Sequence, residues 1–189
     1  MTFVDTPNTP ESNPKGSGVS WKRELFSWAR CILGALLIVA VLRIFVFALI
    51  RVDGDSMRET LHDGDRLLVT LYDGRWGLGE LSRRDVVICH YPEADHLSVK
   101  RIIGLPGETV ELFMGQLFID GEMMDEDYLT YFDYRAFGPV TLGEDEYLVM
   151  GDNRPRSRDS RSADVGPLKR SEIKGKVRMV LWPEFKKIE

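Results

Sequence analysis

Ser56 is a candidate nucleophile. It lies in the segment Val52-Asp53-Gly54-Asp55-Ser56-Met57, beside glycine-containing turn residues and ahead of Thr60-Leu61. A serine hydroxyl is a poor nucleophile at neutral pH and needs a base within hydrogen-bonding distance. The chain has three histidines, but they lie in turn or loop segments and no pattern positions one of them as that base. The base must therefore be sought among other residue types.

Lys100 is the better candidate base. It lies in the run Ser98-Val99-Lys100-Arg101-Ile102-Ile103-Gly104, where on a strand it shares a face with Ile102 while Arg101 points to the opposite face. We therefore predict that Lys100 is inward and desolvated and that Arg101 stays in solvent. A lysine base must be neutral, and burial lowers the pKa of lysine from its ordinary ~10.4. The alternative is that Lys100 is exposed to solvent, as lysines on strands usually are.

A third polar segment, from Gly151 to Arg161, contains groups that can hold such a pair in place. It has four arginines among glycine, aspartate, asparagine and serine residues. One interpretation is a polar turn that attracts anions. The interpretation we favour is a hydrogen-bonded loop that supports a site, with an ion pair between Asp159 and Arg161 fixing its shape.

The composition limits the class of protein. With 189 residues and 21.6 kDa the chain has room for one medium domain and an appendage. The residues before Val52 include six basic and three acidic ones (+3), and those from Val52 onward include 19 basic and 27 acidic ones (−8). The acidic larger part argues against nucleic-acid binding. Cys31 and Cys89 form no CxxC pair and the histidines no metal-ligand spacing, so we expect no disulfide, no metal ion and no other cofactor.

The N-terminal part predicts a membrane anchor. We interpret residues 1–24 as a disordered cytoplasmic tail and residues 25–50 as a transmembrane segment, in which Arg30 and Arg43 reach opposite headgroup regions. A buried core helix is less suitable because the apolar run has no polar face. A cleavable secretory signal is disfavoured because Phe47 to Ile50 offer no small-x-small site. Basic residues are more frequent before the apolar centre, which favours a cytoplasmic N-terminus.

Residues 51–189 predict a mostly β domain outside the membrane. Short apolar runs alternate with turn dipeptides such as Asp63-Gly64, Asp73-Gly74 and Asp120-Gly121, which is typical of antiparallel strands in a barrel-like or sandwich-like domain. The strand candidates are Arg66 to Tyr72, Asp85 to Ile88, Val99 to Ile103, Thr109 to Phe113, Gln116 to Ile119, Tyr147 to Met150 and Lys176 to Leu181. The best helix signal is a short stretch near Leu168 to Ile173.

Four of these segments, in this order behind an anchor, resemble the motifs of the bacterial type I signal peptidases. These are membrane-bound Ser-Lys proteases that remove signal peptides from exported preproteins. The resemblance runs from about Leu25 to Val180 and is to the compact type. The matching segments are Gly54 to Asp65, Arg84 to Val87, Val99 to Val110 and Gly151 to Arg161. Four motifs in the same order are far more specific than any one of them.

The resemblance implies a role for each matching residue. Ser56 would be the nucleophile, with its backbone N–H donating to the oxyanion, and Lys100 would be the general base. Ser157 would orient the lysine amine, and Asp159 and Arg161 would form a supporting ion pair. The implied substrate-binding positions, which serve small residues at −1 and −3 of the signal peptide, are Val52, Gly54, Met57, Leu61 and Val99.

The resemblance also implies partners and a location. The partners would be the signal peptides of secreted preproteins and the lipid bilayer, with no nucleic acid and no metal. The location would be the bacterial cell membrane, with a single span. The chain departs from the family at Glu59, where proline is usual, and by one inserted residue between Arg161 and Gly166.

Two other functions remain compatible with the residues. One is a Ser-Lys protease that cuts itself or a regulator, as repressor-type autoproteases do, although the predicted anchor argues against it. The other is a membrane-tethered β module that binds a partner without catalysis. Such a module would tolerate replacement of both Ser56 and Lys100.

Overall fold

The computed structural model describes residues 21–71, 79–91 and 97–188, apart from the side chains of residues 42–45. The predicted tail over residues 1–20 and the predicted Asp73-Gly74 turn lie outside the described residues, as does Tyr72 at the end of a predicted strand. The side chain of Arg43, a predicted headgroup contact, also lies outside them. The chain divides into two compact units, one ending at Val39 and the other running from Ala40 to Glu189.

The N-terminal apolar stretch forms helix α1, Trp21–Phe45. Its 25 residues extend about 38 Å at ~1.5 Å per residue, and Trp21–Val41 is long and apolar enough to cross a membrane and is not buried in the protein. The predicted segment, 25–50, differs at both ends. The last part of the apolar run forms strand β1, Phe47–Arg51, because Ala48 and Ile50 pack against the core of the β domain.

The remaining described residues form short strands separated by turns. In chain order these are β2 (Arg66–Thr70), β3 (Val86–His90), β4 (Leu97–Gly104), β5 (Thr109–Phe113), β6 (Gln116–Ile119), β7 (Glu122–Met124), β8 (Phe137–Thr141), β9 (Glu146–Met150), β10 (Leu168–Lys169), β11 (Ile173–Trp182) and β12 (Lys186–Lys187). All seven predicted strands are present, with small differences at their ends. The predicted short helix near Leu168 to Ile173 is a single 3-10 turn, Arg170–Glu172.

The strands form two antiparallel sheets. The larger has the order β1-β2-β11-β3-β4-β9-β10, with β12 paired to β11, and the smaller has the order β7-β6-β5-β8. The predicted mostly antiparallel β fold is confirmed, and the larger sheet curls into a half-barrel. The two turns Met114-Gly115 and Asp120-Gly121 have positive φ at both residues, as type I′ hairpin turns require.

Strand β4 is covered on both faces. On one face Ile102 packs with Cys89 and Val149, and on the other face Ile103 packs with Leu148 in the core that the smaller sheet covers. Successive side chains of a strand point to opposite faces. The neighbouring residues Lys100 and Arg101 are therefore both enclosed by the protein, each on its own side of β4.

Candidate active site

Ser56 lies in a compact turn that follows β1. The Arg58 N–H donates to Asp55 O at 3.1 Å and the Leu61 N–H donates to Met57 O at 2.8 Å, which closes the turn on both sides of the serine. Met57 and Leu61 are buried in the core of the larger sheet. These apolar side chains anchor the turn and leave Ser56 half-buried at its surface.

The turn contains two residues with left-handed backbone. Gly54 has a φ of 96° and its N–H donates to Asp63 Oδ1 at 3.0 Å. Glu59 has a φ of 74°, which is unusual for a residue with a side chain. Proline is restricted to φ near −65°, so the proline that is usual in the resembling family does not fit this backbone at position 59.

Lys100 meets Ser56 directly, as the sequence predicts. The Lys100 Nζ lies 2.8 Å from Ser56 Oγ and donates a hydrogen bond to Val99 O at 2.9 Å. The lysine is only 3% exposed. This burial lowers the pKa of Lys100 from its ordinary value, although the negative charges of the Asp159 and Asp152 carboxylates oppose the shift.

Cys89 forms part of the dry surroundings of the Lys100 amine. It lies on β3, on the strand that pairs with β4 in the register Val87 to Lys100. Burial raises the pKa of the Cys89 thiol to about 12. The thiol is therefore neutral near pH 7 and behaves as a small apolar neighbour of the amine.

The segment from Gly151 to Arg161 supports the nucleophile turn from the other side. The Asn153 N–H donates to Ser56 O at 3.0 Å, and Asn153 Nδ2 donates to Asp55 O at 3.1 Å. Gly151 lies against the same carbonyl, because a Cβ built on it would be 2.3 Å from Ser56 O and 2.3 Å from Ser157 Oγ. Only glycine permits this close approach of the two backbones.

The structure contains the ion pair between Asp159 and Arg161 that the sequence suggests. Arg161 Nε and Nη2 donate to the two carboxylate oxygens, each at 2.9 Å. The Gly151 N–H donates to Asp159 Oδ2 at 3.0 Å. Asp159 is fully buried. Burial acts to raise the pKa of this carboxyl, but the hydrogen bonds and charge of Arg161 prevail and hold it below its ordinary value.

Ser157 is near the site but does not hold the lysine amine. Its Oγ is buried and has no hydrogen-bond partner among the described residues. The second partner of the Lys100 Nζ is instead the carbonyl of Val99, at 2.9 Å. The implied hydrogen bond from Ser157 to Lys100 is therefore absent from this structure.

The prediction that Arg101 stays in solvent is wrong. Arg101 is 2% exposed and binds Asp152 through both carboxylate oxygens, with Nε to Oδ1 at 2.9 Å and Nη2 to Oδ2 at 2.8 Å. Thr60 Oγ1 also donates to Asp152 Oδ2, at 2.5 Å. Strand alternation predicts which face a residue points to, but not that the smaller sheet covers that face. Arg101 thus links β4 to the loop after β9 and to the nucleophile turn.

Several residues of the site were not identified from the sequence. Four of them lie inside the recognised motifs: Thr60, Arg101, Asp152 and Asn153. Their membership of these motifs could have identified them as site residues. Arg154 is also buried, and its acidic partner comes from outside the motifs. A cluster of arginines next to apolar strands indicates that acidic partners must be present, but not which acids they are.

A cavity of about 220 Å³ opens beside the two reactive groups. It is lined by residues 50–53, Ser56, Met57, Ile88 and residues 97–100. Of the predicted substrate-binding residues, Val52, Met57 and Val99 line this cavity. Gly54 and Leu61 do not line it, because Gly54 lies exposed on the turn and Leu61 is fully buried in the core.

The arrangement can support nucleophilic catalysis. A hydroxyl and a desolvated amine lie in hydrogen-bonding contact beside a cavity, which is the geometry of a nucleophile and its base. In the part of the chain that the structure describes, no group of three or more His, Cys, Asp or Glu side chains is placed to hold a metal ion.

Comparisons with known proteins identify relatives of this chain. A model of the family described as signal peptidase, peptidase S26, matches residues 25–182. Signal peptidase I S of Bacillus subtilis is 39% identical over 180 residues, which cover 89% of this chain and 95% of that protein. Signal peptidase I T of the same organism is 38% identical and the match covers 97% and 96% of the two chains.

One solved structure and one further relative are also similar to this chain. A crystal structure of a signal peptidase I from Enterococcus faecalis is 34% identical, covers 51% of this chain and 96% of its own, and has a TM-score of 0.46. Signal peptidase IB of Staphylococcus aureus is 34% identical over 87% of this chain and 94% of its own. The extent of the family match and the identities of the Bacillus and Staphylococcus relatives show that the chain belongs to the signal peptidase family, peptidase S26.

Proposed function

We propose that this chain is a serine endopeptidase that removes N-terminal signal peptides from exported preproteins, with Ser56 as nucleophile and Lys100 as general base. The observation that carries the proposal is the 2.8 Å contact between Lys100 Nζ and Ser56 Oγ. The amine is buried and its pKa is lowered. It can therefore be neutral and accept the hydroxyl proton, which an exposed lysine at neutral pH cannot do.

Acylation and deacylation use the same two groups. Ser56 Oγ attacks the substrate carbonyl while its proton passes to Lys100 Nζ, and the ammonium then protonates the leaving amine as the C–N bond breaks. Lys100 next takes a proton from water as the water oxygen attacks the acyl-enzyme, and it returns this proton to Ser56 Oγ when the ester bond breaks. The Ser56 N–H donates to no acceptor in the described parts of the chain, so it is free to donate to the oxyanion.

The cavity beside the dyad suits small side chains. Its volume is about 220 Å³, and Val52 and Val99 are among the residues that line it. Alternate residues of an extended peptide point to the same side, so the residues at −1 and −3 of the substrate would both face the protein here. Small residues at these two positions are therefore the expected specificity.

Helix α1 would hold the enzyme in the bacterial cell membrane as a single-span anchor. Four basic residues precede its apolar centre and two follow it, which favours a cytoplasmic N-terminus. The catalytic domain would then lie on the outer face of the membrane. The cleavage site of an inserted signal peptide emerges on that side, close to the bilayer surface.

A cleavage assay in detergent tests the proposal. Purified enzyme is mixed with several preproteins, and the new N-terminus of each product is sequenced. We expect cleavage after a small residue, and Ser56→Ala is expected to lower kcat/KM at least ~10⁴-fold, because the nucleophile is lost. Ser171→Ala, at an exposed position, serves as the matched control and should cleave like the wild type.

Each rival function gives a different result in this assay. No cleavage of any preprotein by the wild type would favour the binding module, and cleavage that survives Ser56→Ala would exclude the Ser-Lys dyad. An autoprotease would cut its own chain at a rate independent of enzyme concentration and would leave the preproteins intact.

The backbone at Glu59 predicts an unusual response to substitution. Because φ is 74° there, Glu59→Gly should leave the cleavage rate within about 2-fold of the wild type, since glycine adopts this conformation without strain. Glu59→Pro should lower the rate at least ~10-fold, because the proline ring forces φ to about −65° and so displaces the turn that holds Ser56. The two variants are compared by initial cleavage rate and thermal midpoint. Full activity in Glu59→Pro would show that the turn tolerates a right-handed residue.

A further inference from the structure

The segment that joins the two outer strands of the smaller sheet contacts strand β4 and the loop from Gly151 to Arg161. We call residues 125–136, between β7 and β8, the strap. Its Glu126 side chain is 6% exposed and forms a two-pronged ion pair with Arg154, with Nη1 to Oε2 at 3.0 Å and Nη2 donating to Oε1. None of the four motifs of the resembling family includes the strap.

Arg154, the partner of Glu126, holds the loop that supports Ser56. Its Nε donates to Gly151 O at 3.2 Å, and its own carbonyl accepts a hydrogen bond from Arg161 Nη2 at 2.7 Å. Gly151 lies against Ser56 O, and Arg161 pairs with Asp159. A movement of the Arg154 guanidinium would therefore move both ends of this loop, Gly151 and Arg161.

Tyr128 connects the same carboxylate to the strand that carries the base. Its hydroxyl donates to Glu126 Oε1 at 2.5 Å, and its ring centroid lies 4.2 Å from Arg101 Cζ. A guanidinium over an aromatic face is attracted by the ring. Arg101 directly follows Lys100 in β4 and binds Asp152, so the strap contacts the base strand as well as the loop after β9.

The strap supplies carboxylate partners to buried arginines of the motifs. Arg101 binds Asp152, Arg161 binds Asp159 together with Asp133 of the strap, and Arg154 binds Glu126 of the strap. Glu126 is thus the carboxylate that pairs with Arg154. An arginine without a partner is strongly unfavourable in a buried position. If Glu126 is lost, the Arg154 guanidinium must turn to the carboxylates that hold Arg101 and Arg161, and the loop must move with it.

We propose that Glu126 and Tyr128 are positioning residues, which set the contact between Ser56 and Lys100 through Arg154 and Arg101. The inference rests on the proposed Ser-Lys function and assigns part of the active site to the smaller sheet. Glu126 does not touch the reacting atoms. Its removal shifts the loop that contacts Ser56 O and admits water to the Lys100 amine.

Kinetics of the full-length enzyme in detergent test the proposal. Glu126→Gln should lower kcat at least ~10-fold while KM stays within ~2-fold, and the acid limb of the kcat profile should move up by at least ~0.5 pH unit, because a wetter amine holds its proton to higher pH. Tyr128→Phe keeps the ring on Arg101 and should lower kcat less than ~3-fold. Tyr128→Leu removes the ring and should resemble Glu126→Gln.

Glu122→Gln, at an exposed position of β7, should leave kcat and the pH profile unchanged. If Glu126→Gln lowers the unfolding temperature but keeps the wild-type kcat and pH profile well below that temperature, the strap merely stabilises the fold and the proposal is overturned. If Glu126→Gln does not fold, Tyr128→Leu decides by the same two readouts. Failure of the proposed function is distinct, because the wild type would then cleave no preprotein.

Discussion

Lys100→Met is expected to abolish cleavage and also to make the protein more stable than the wild type. Loss of a general base lowers the rate by about 10²–10⁴-fold, and methionine cannot replace the amine. The gain in stability has a separate cause. Lys100 is 3% exposed and burial lowers its pKa, so the folded state binds its proton less readily than the unfolded chain does. Methionine fills the same apolar surroundings without this cost.

The pH dependence of the stability gain has a definite sign. Between the lowered pKa of Lys100 in the folded protein and the ordinary ~10.4 of the unfolded chain, the unfolded state binds more protons. Stability of the wild type therefore rises with pH through this window. The thermal midpoint of Lys100→Met should exceed that of the wild type by several degrees at low pH, and the difference should shrink as the pH rises toward 10.

Thermal unfolding of both proteins in the same detergent, from about pH 6 to pH 10, measures this difference. Lys186→Met, at an exposed position of β12, is the matched control and should follow the wild type at every pH. A Lys100→Met variant that is less stable at all pH values, or a difference that does not change with pH, would contradict a desolvated amine at position 100.

Local rules singled out Ser56 and Lys100 as candidates, and the resemblance to the signal peptidases implied that they act together. Strand alternation placed Lys100 on an inward face, and the glycine-rich turn marked Ser56 as a residue held at a loop. The same alternation gave a wrong prediction for Arg101, since burial of its face depends on the smaller sheet. That sheet consists of strands β5 to β8, and no local pattern in the sequence shows where it packs against the rest of the β domain.

Two further features depend on contacts between distant residues. The apolar run predicted as one span is shared between α1 and β1, and only the pairing of β1 with β2 separates them. Glu126 could not be singled out, because an acidic residue in an aperiodic loop is normally solvated. Its burial follows from the arginines that it meets, which lie in another part of the chain.

Gly151→Ala is expected to lower cleavage at least ~100-fold. A Cβ at this position would lie 2.3 Å from both Ser56 O and Ser157 Oγ and 2.6 Å from Ser157 Cβ. Non-bonded heavy atoms do not approach a Cβ this closely, so either the loop that contains Gly151 or the turn that contains Ser56 must move. A displacement of about 1 Å at a reacting group costs about 10²-fold in rate, and overpacking of this kind also destabilises the fold by about 1–3 kcal/mol. Initial rates and the thermal midpoint measure both effects.

A second substitution identifies which contact of Gly151 matters. Gly151→Ala combined with Ser157→Gly removes the clash with the serine side chain but leaves the clash with the Ser56 carbonyl, so the double variant should remain as slow as Gly151→Ala. Gly143→Ala is the control, because the nearest atoms to its Cβ would be those of the flexible Glu146 side chain, at 3.3 Å, and it should cleave at the wild-type rate. Recovery of activity in the double variant would mean that space around Ser157, and not the approach to the Ser56 backbone, requires glycine at position 151.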